Sequence, residues 1–325
     1  MHTFEFNRAA DESAALEAGA AGARYLAGGT TLVDLMRQNV ERPGRVIDIN
    51  GLPHRDIDIN PARLRIGALV RMSDLAANHD VRQQFPVVTQ ALELSASAQL
   101  RNMASIGGNL MQRPRCLYFR DVSASCNRRT PGTGCGAIDG RNRTHAIFGT
   151  SDQCVATHPS DLAVALTALD ATVYVKDSDG EHPIRIGDFF RQPGNTPDQE
   201  HNLRPGQLIT AVEVPVRPYT RRSGYLKVRD RQSYEFALCS AAVALEVSGG
   251  VVRTARVAVG GVGTVPWRLT NVEHRLIGRP VSAELWTDAA SVAADGAKPL
   301  SENGFKLQLL ENTVARQLAT VAGLP

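Results

Sequence analysis

Four of this chain's five cysteines crowd into one stretch that offers almost nothing to a core. Cys116, Cys126, Cys135 and Cys154 are separated by nine, eight and eighteen residues, in a Gly-, Pro- and Arg-rich segment with hardly any apolar periodicity. An irregular loop of that length, about residues 113–157, needs a special cause of order. Structural zinc normally takes close C-x₂₋₄-C pairs, and none occur here. Disulfides require an oxidising compartment. A nucleophilic cysteine needs one thiol and a base, not four thiols. Four thiolates on a loop suit an iron–sulfur cluster, although the spacing is not one of the common ferredoxin patterns. Arg120, Arg128, Arg129, Arg141 and Arg143 could offset the negative charge of such a cluster. The fifth cysteine, Cys239, lies in FALCSAAVAL and reads as a buried core thiol.

The remaining sequence is that of a globular chain. With 325 residues it can bury a sizeable core in two or three domains. A net charge of +3 is small for this size, so charge gives no ground for nucleic-acid binding. The first residues, MHTFEFNRAADESAALEAG, lack the basic and apolar regions of a signal peptide. No run of about 18 apolar residues predicts a membrane span.

Along the chain, RYLA (residues 24–27) predicts a short buried strand, then a Gly28-Gly29 turn, with Thr30 or Thr31 capping a helix over LVDLMRQ. RVIDIN predicts a second strand, and LRIGALVRMSDLA passes from strand to helix. FPVVTQALELSAS has helical spacing, and RNMASIGGNLMQ reads as a second glycine-rich turn. DLAVALTALDATVYVKD predicts helix then strand, and QLITAVEVPV a strand closing the first domain. Beyond it, YLKVRDRQSYEFALCSAAVALEV and VRTARVAVGGVGTVPWRL read as long strands around a Gly249-Gly250 turn, and the tail from Ala283 to Leu324 as helical. The expected boundary lies near Pro215–Arg221, giving domains 1–217 and 218–325.

AGGTTL (Ala27–Leu32) stands between a strand and a helix N-terminus. Glycines there admit a ligand close to the backbone, and free amides favour an anion. It is neither a Walker loop nor a G-x-G-x-x-G fingerprint. ASIGGNL (Ala104–Leu110) repeats the chemistry, so two turns could grip the two phosphates of a dinucleotide. A tight strand–helix connection is the plain alternative.

AGGTTL, ASIGGNL, HPSD (158–161) and YLKVRDRQSYEFAL, in that order, resemble the flavin-binding subunits of molybdenum hydroxylases over nearly the whole chain. The resemblance implies an α+β fold: a two-part FAD-binding domain of the vanillyl-alcohol-oxidase type, then a smaller α/β C-terminal domain of the CO dehydrogenase flavoprotein type. It implies that the backbone of Ala27, Gly28, Gly29, Thr30, Thr31, Leu32 and Val33 wraps the FAD pyrophosphate. Ser105, Gly108 and Asn109 would meet the diphosphate and ribityl region. Asp161 would contact the adenosine half, and Ile209 and Lys227 would lie by the isoalloxazine ring. The plainer alternatives are a helix N-cap for Asp161 and a solvated strand lysine for Lys227. The words CLYFRD, CNRR, PGTGC and CVATHPSD are similar to the subset of the family, of the bacterial periplasmic aldehyde oxidoreductase type, whose insertion binds a [4Fe–4S] cluster. Its ligands would be Cys116, Cys126, Cys135 and Cys154.

No acid–base pair or nucleophilic triad is visible, which suits a subunit whose chemistry belongs to its cofactors. The resemblance implies two partners. A large subunit with a molybdenum cofactor would oxidise an aldehyde or N-heterocycle, and a small subunit with two [2Fe–2S] clusters would pass electrons to this FAD. The compartment would be cytoplasmic, or periplasmic by export with a signal-bearing partner. Two rivals remain: a stand-alone flavin oxidoreductase of the same fold, active alone, and a colourless zinc- or disulfide-stabilised scaffold.

Overall fold

The computed structural model describes residues 1–323 and divides its strands among three sheets. β1 (Glu5–Arg8), β2 (Arg24–Leu26) and β3 (Arg45–Asp48) form a parallel sheet in the order β1-β3-β2. β4 (Ile57–Ile59), β5 (Arg63–Gly67), β6 (Thr172–Asp177), β7 (Gly180–Arg185) and β8 (Leu208–Pro215) form an antiparallel sheet ordered β4-β5-β8-β6-β7. The chain leaves this sheet at Gly67 and returns at Thr172. The second glycine turn and the whole cysteine loop lie within that excursion.

β9 (Ser223–Val228), β10 (Cys239–Ser248), β11 (Val251–Gly260) and β12 (Trp267–Arg268) make the third sheet, antiparallel throughout. Side chains alternate across a strand, and here both faces are covered. Tyr225, Ala242, Ala244 and Ala258 join the core of the first domain. Cys239, Ala241, Val243, Leu245, Val257 and Val259 join a second core with helices Thr270–Leu276, Ala283–Ala290 and Lys306–Ala322. Double-sided burial explains why CSAAVALEV reads as one apolar run. Cys239 is fully buried there, as expected.

Helix Asp161–Ala168 is buried on every side, as an element apolar all round must be. It packs between helix Pro86–Glu93 and strands β10 and β11. Gly260 makes this approach possible, since a Cβ at that position would press on the Val164 side chain. The core of the first domain thus reaches the third sheet through this helix.

Several sequence expectations need correction. The long strand from Tyr225 is broken between Val228 and Cys239, because the polar run Asp230–Ser233 and Tyr234, at φ 53°, cannot continue a ladder. β2 is exposed at Arg24 and only half-buried at Tyr25 and Leu26. The second glycine turn is a short helix, Ile106–Leu110. The tail is helical over Ala283–Ala290 and Lys306–Ala322 but not between them, and Leu324 lies outside the described residues. No helix among the described residues is long and apolar enough to cross a membrane.

Candidate functional site

The first glycine turn packs against the second. A Cβ on Gly28 would collide with the Met103 carbonyl oxygen, so a side chain there is excluded by backbone on the other segment. Gly29 sits at φ 71°, a left-handed conformation that glycine adopts at least cost. Asn50 fixes the entry to the turn: its Nδ2 donates to the Ala27 carbonyl at 2.9 Å, and its Oδ1 accepts from Arg71 at 3.2 Å. The amides of Gly28, Gly29, Thr30 and Thr31 have no protein acceptor among the described residues. Thr31 occupies the N-cap position of helix Leu32–Arg37 without a side-chain capping bond, so the expected threonine cap does not form. The row of donors remains open to a ligand. Leu32 is half-buried and Val33 is 38% exposed.

The second turn does not repeat this chemistry. Ser105 caps its helix through Oγ, accepting from the Gly108 amide at 3.2 Å. The amides of Ile106, Gly107 and Asn109 donate to Val70, Ala68 and Ser105 carbonyls. A helix start whose donors are spent on protein has none left for a phosphate. One turn, not two, presents a row of free amides. The Asn109 side chain is engaged too: Oδ1 accepts from Ser160 Oγ at 2.5 Å, and Nδ2 lies 3.4 Å from Met72 Sδ.

Two adjoining cavities, of about 190 and 250 Å³, form a cleft beside these turns. The smaller is lined by Thr30, Thr31, Gly108, Asn109, Asp161 and Lys227. The larger reaches Cys116, His145 and Gly261. Both share Arg115, Pro159, Asp161, Glu235 and Phe236. The loop that interrupts the expected long strand supplies Arg231, Tyr234 and Phe236 to the smaller cavity. Ala27, Gly28, Gly29, Leu32, Val33, Ser105 and Ile209 line neither; Ile209 lies in β8 within the core.

Asp161 and Lys227 form a buried ion pair at 2.7 Å, with side chains 7% and 1% exposed. Tyr225 donates to Asp161 Oδ1 at 2.7 Å, Ser95 Oγ stands 3.1 Å from Oδ2, and Lys227 Nζ also donates to the Leu94 carbonyl at 3.1 Å. Tyr225 and Lys227 lie two apart on β9 and so share a face. Three expectations change. Lys227 is not solvated. Asp161 is not the N-cap of its helix, because Ser160 holds that position and accepts from Ala163 at 3.0 Å. The pair also brings Asp161 and Lys227, expected at different parts of the cofactor, to one point of the cleft. Sequence reading missed Ser95 and Tyr225; only the Y-x-K alternation in YLK signalled the tyrosine.

The cysteine loop is ordered largely by its own polar groups. Residues around Cys126 and Cys135 form a small antiparallel bridge, turning through Gly132 and Gly134 at φ 86° and 91°. Arg129 Nη1 donates to the Tyr118 and Phe119 carbonyls at 2.7 and 2.8 Å. Asn142 Nδ2 reaches the carbonyls of Ala137, Ile138 and Gly140. Arg115 and Arg120 pair with Asp34, on the helix that follows the first glycine turn. Buried Arg128 and half-buried Arg113 share Glu200, at 3.1 and 2.6 Å, and together they hold its carboxyl low against burial. At its far end the loop docks on the second domain through Ile147 and Phe148.

Only one of the five expected arginines faces the thiols. Arg128 stands beside Cys154 and Cys126, which help raise its pKa although burial acts the other way. Arg120 and Arg143 pair with Asp34 and Asp230, Arg129 binds carbonyls, and Arg141 is exposed.

None of the cysteines is in a disulfide; Cys126 and Cys154 are buried, Cys116 and Cys135 half-buried. Burial pushes the Cys116 thiol up to about 12; the Phe119 and Tyr118 amides pull against it, and nearby Cys126 and Cys154 add to the rise. Cys135 is likewise raised by burial, with Ala137 and Val155 amides facing its sulfur and Cys154 and Cys126 close by. Hence the four thiols share one neighbourhood. Among the described residues no three His, Cys, Asp or Glu side chains are arranged to hold a single metal ion.

The FAD binding domain in molybdopterin dehydrogenase matches residues 2–217, and the CO dehydrogenase flavoprotein C-terminal domain matches residues 224–321. The chain is 46% identical over 300 residues to the aldehyde oxidoreductase FAD-binding subunit of Escherichia coli, covering 92% of this chain and 91% of that one. It is 28% identical to the glyceraldehyde dehydrogenase medium chain of Sulfolobus acidocaldarius, over 86% of this chain and 82% of that one. The fold matches a chain of quinoline 2-oxidoreductase from Pseudomonas putida 86 with a TM-score of 0.77 at 20% identity, covering 99% and 98% of the two chains.

Proposed function

The chain belongs to the FAD-binding subunits of the molybdopterin dehydrogenase family, and from that premise we propose that it is the electron-transfer subunit of a heteromeric molybdenum-containing aldehyde oxidoreductase. In this reading it binds FAD and one [4Fe–4S] cluster. A small partner with two [2Fe–2S] clusters delivers electrons to the FAD, which passes them to an external acceptor. A large partner with the molybdenum cofactor oxidises an aldehyde or an N-heterocycle. The identity to an aldehyde oxidoreductase subunit favours the aldehyde. The complex is cytoplasmic, or periplasmic by export with a signal-bearing partner.

The observation that carries the flavin site is the row of unpartnered amides from Gly28 to Thr31 beside the cleft. Four donors close to a helix start suit a diphosphate. The backbone from Ala27 to Val33 holds it, with Gly108 and Asn109 across the cleft. Ser105 acts at one remove, by capping the helix that carries Gly108 and Asn109. Asp161 and Lys227 serve one part of the cofactor together, and Ile209 supports β8 from within the core. Bound FAD supplies exchange between one-electron carriers and a two-electron acceptor. The first domain spans residues 1–217 and the second residues 218–325.

For the cluster, what supports the reading is the gathering of four thiols whose sulfurs meet backbone amides and a guanidinium, the donors that iron–sulfur ligands use. Cys116, Cys126, Cys135 and Cys154 are the cluster's ligands.

Copurification with tagged chain, followed by an absorption spectrum, tests the whole reading. Two partner subunits and a yellow-brown complex that oxidises aldehydes are expected. A chain active alone would mean a stand-alone flavin oxidoreductase, and a colourless chain a structural scaffold.

A further inference from the structure

The ring of His145, in the cysteine loop, is turned to a sulfur rather than to an oxygen. Its Nε2 lies 3.2 Å from Cys116 Sγ, and the residue is 4% exposed. The backbone at this position is held by the second domain. Lys306 Nζ donates to the His145 carbonyl at 2.9 Å, and Asn303 Nδ2 does so at 3.2 Å. The histidine amide donates to the Asn142 carbonyl at 3.0 Å. The ring is therefore anchored independently of the strand of loop that carries Cys116.

The tautomer follows from two observations. Nδ1 is buried without a hydrogen-bond partner, and a stranded acceptor costs less than a stranded N–H. Nε2, by contrast, faces Cys116 Sγ at 3.2 Å, so the proton of a neutral ring has its acceptor there. That proton sits on Nε2 and points at the sulfur. A thiolate has no proton of its own and can only accept.

Resting on the cluster assignment above, we propose that His145 is a positioning residue that donates an Nε2–H hydrogen bond to the Cys116 thiolate and thereby raises the reduction potential of the group Cys116 binds. A hydrogen bond to a ligand sulfur withdraws charge and favours the reduced form, one of the ways a protein sets such a potential. Through Lys306 and Asn303, the same contact ties that potential to the packing of the second domain.

The test compares the parent complex with His145→Phe, His145→Leu and His145→Gln, the last retaining an N–H donor. Each is purified without oxygen, assayed for iron and sulfide, and titrated by reductive paramagnetic resonance. The expected result is full cluster content with a lower midpoint potential in the Phe and Leu variants, and a potential near the parent's in Gln. Loss of iron in Phe and Leu but not in Gln also supports the donor. An unchanged potential in Phe and Leu, or iron loss in all three, overturns it. A parent complex whose cysteine loop holds no cluster sinks the cluster reading itself, and the inference with it.

Discussion

Lys227 Nζ stands 2.7 Å from Asp161 Oδ2, and neither charge reaches solvent. Tyr225 closes the carboxylate from the other side. A lysine so compensated presents the cleft with a dipole rather than with a full positive charge.

Removing one partner exposes the other's cost. Lys227→Met should destabilise the protein by about 3–5 kcal/mol, because an unpaired buried carboxylate remains. It should also lower the flavin midpoint potential, since that carboxylate disfavours an anionic reduced ring. Lys227→Met combined with Asp161→Asn should recover much of both losses. Denaturant titration and spectropotentiometry of the three proteins measure this. Additive effects of the two substitutions would show that the pair does not act as a unit.

Gly29→Val places a β-branched side chain at φ 71°, where strain of about 1–3 kcal/mol is expected. The amides of residues 28–31 should lose their alignment, and purified protein should carry little FAD. Flavin content after extraction is the measurement. A folded variant with full occupancy would place the diphosphate elsewhere.

Lys306 supplies a pH signature. Its Nζ is buried and donates to the carbonyls of Thr144, His145 and Gly261. Burial lowers its pKa from 10.5 to about 8, partly opposed by Cys239. Between those values the unfolded chain binds the extra proton, so this group's contribution to stability rises with pH. Parent stability relative to Lys306→Met should therefore grow from pH 8 to 10, as read from urea titrations. At pH 7 the variant should still be less stable, since three buried carbonyls lose a donor at roughly 1–3 kcal/mol each. A difference that stays flat with pH would mean that Lys306 keeps an ordinary pKa.

What could be read from the sequence was what repeats along it. The apolar run CSAAVALEV and the β-branched stretch VRTARVAV mark β10 and β11, and helix Asp161–Ala168 is evident from its own apolar run. What could not be read was pairing across distance. Asp161 and Lys227 are 66 residues apart, and nothing local tells a cap from an ion pair when Ser160 precedes Asp161. The two glycine turns look alike as letters. They differ because Ser105 and the carbonyls of Ala68 and Val70 consume the second turn's amides. In the cysteine loop the thiols stand out, whereas Arg129 and Asn142 do their work through carbonyls, which leave no mark on a sequence.

The central claim is that this chain holds FAD together with a [4Fe–4S] cluster on Cys116, Cys126, Cys135 and Cys154. The most direct measurement is iron per FAD in the parent complex and in serine variants at each of the five cysteines, all prepared without oxygen. A fall of about four irons per FAD is expected at each of the four loop positions, with no change at Cys239, which is buried in the second core. Equal iron in all six proteins, or zinc in the parent's loop, would contradict the account.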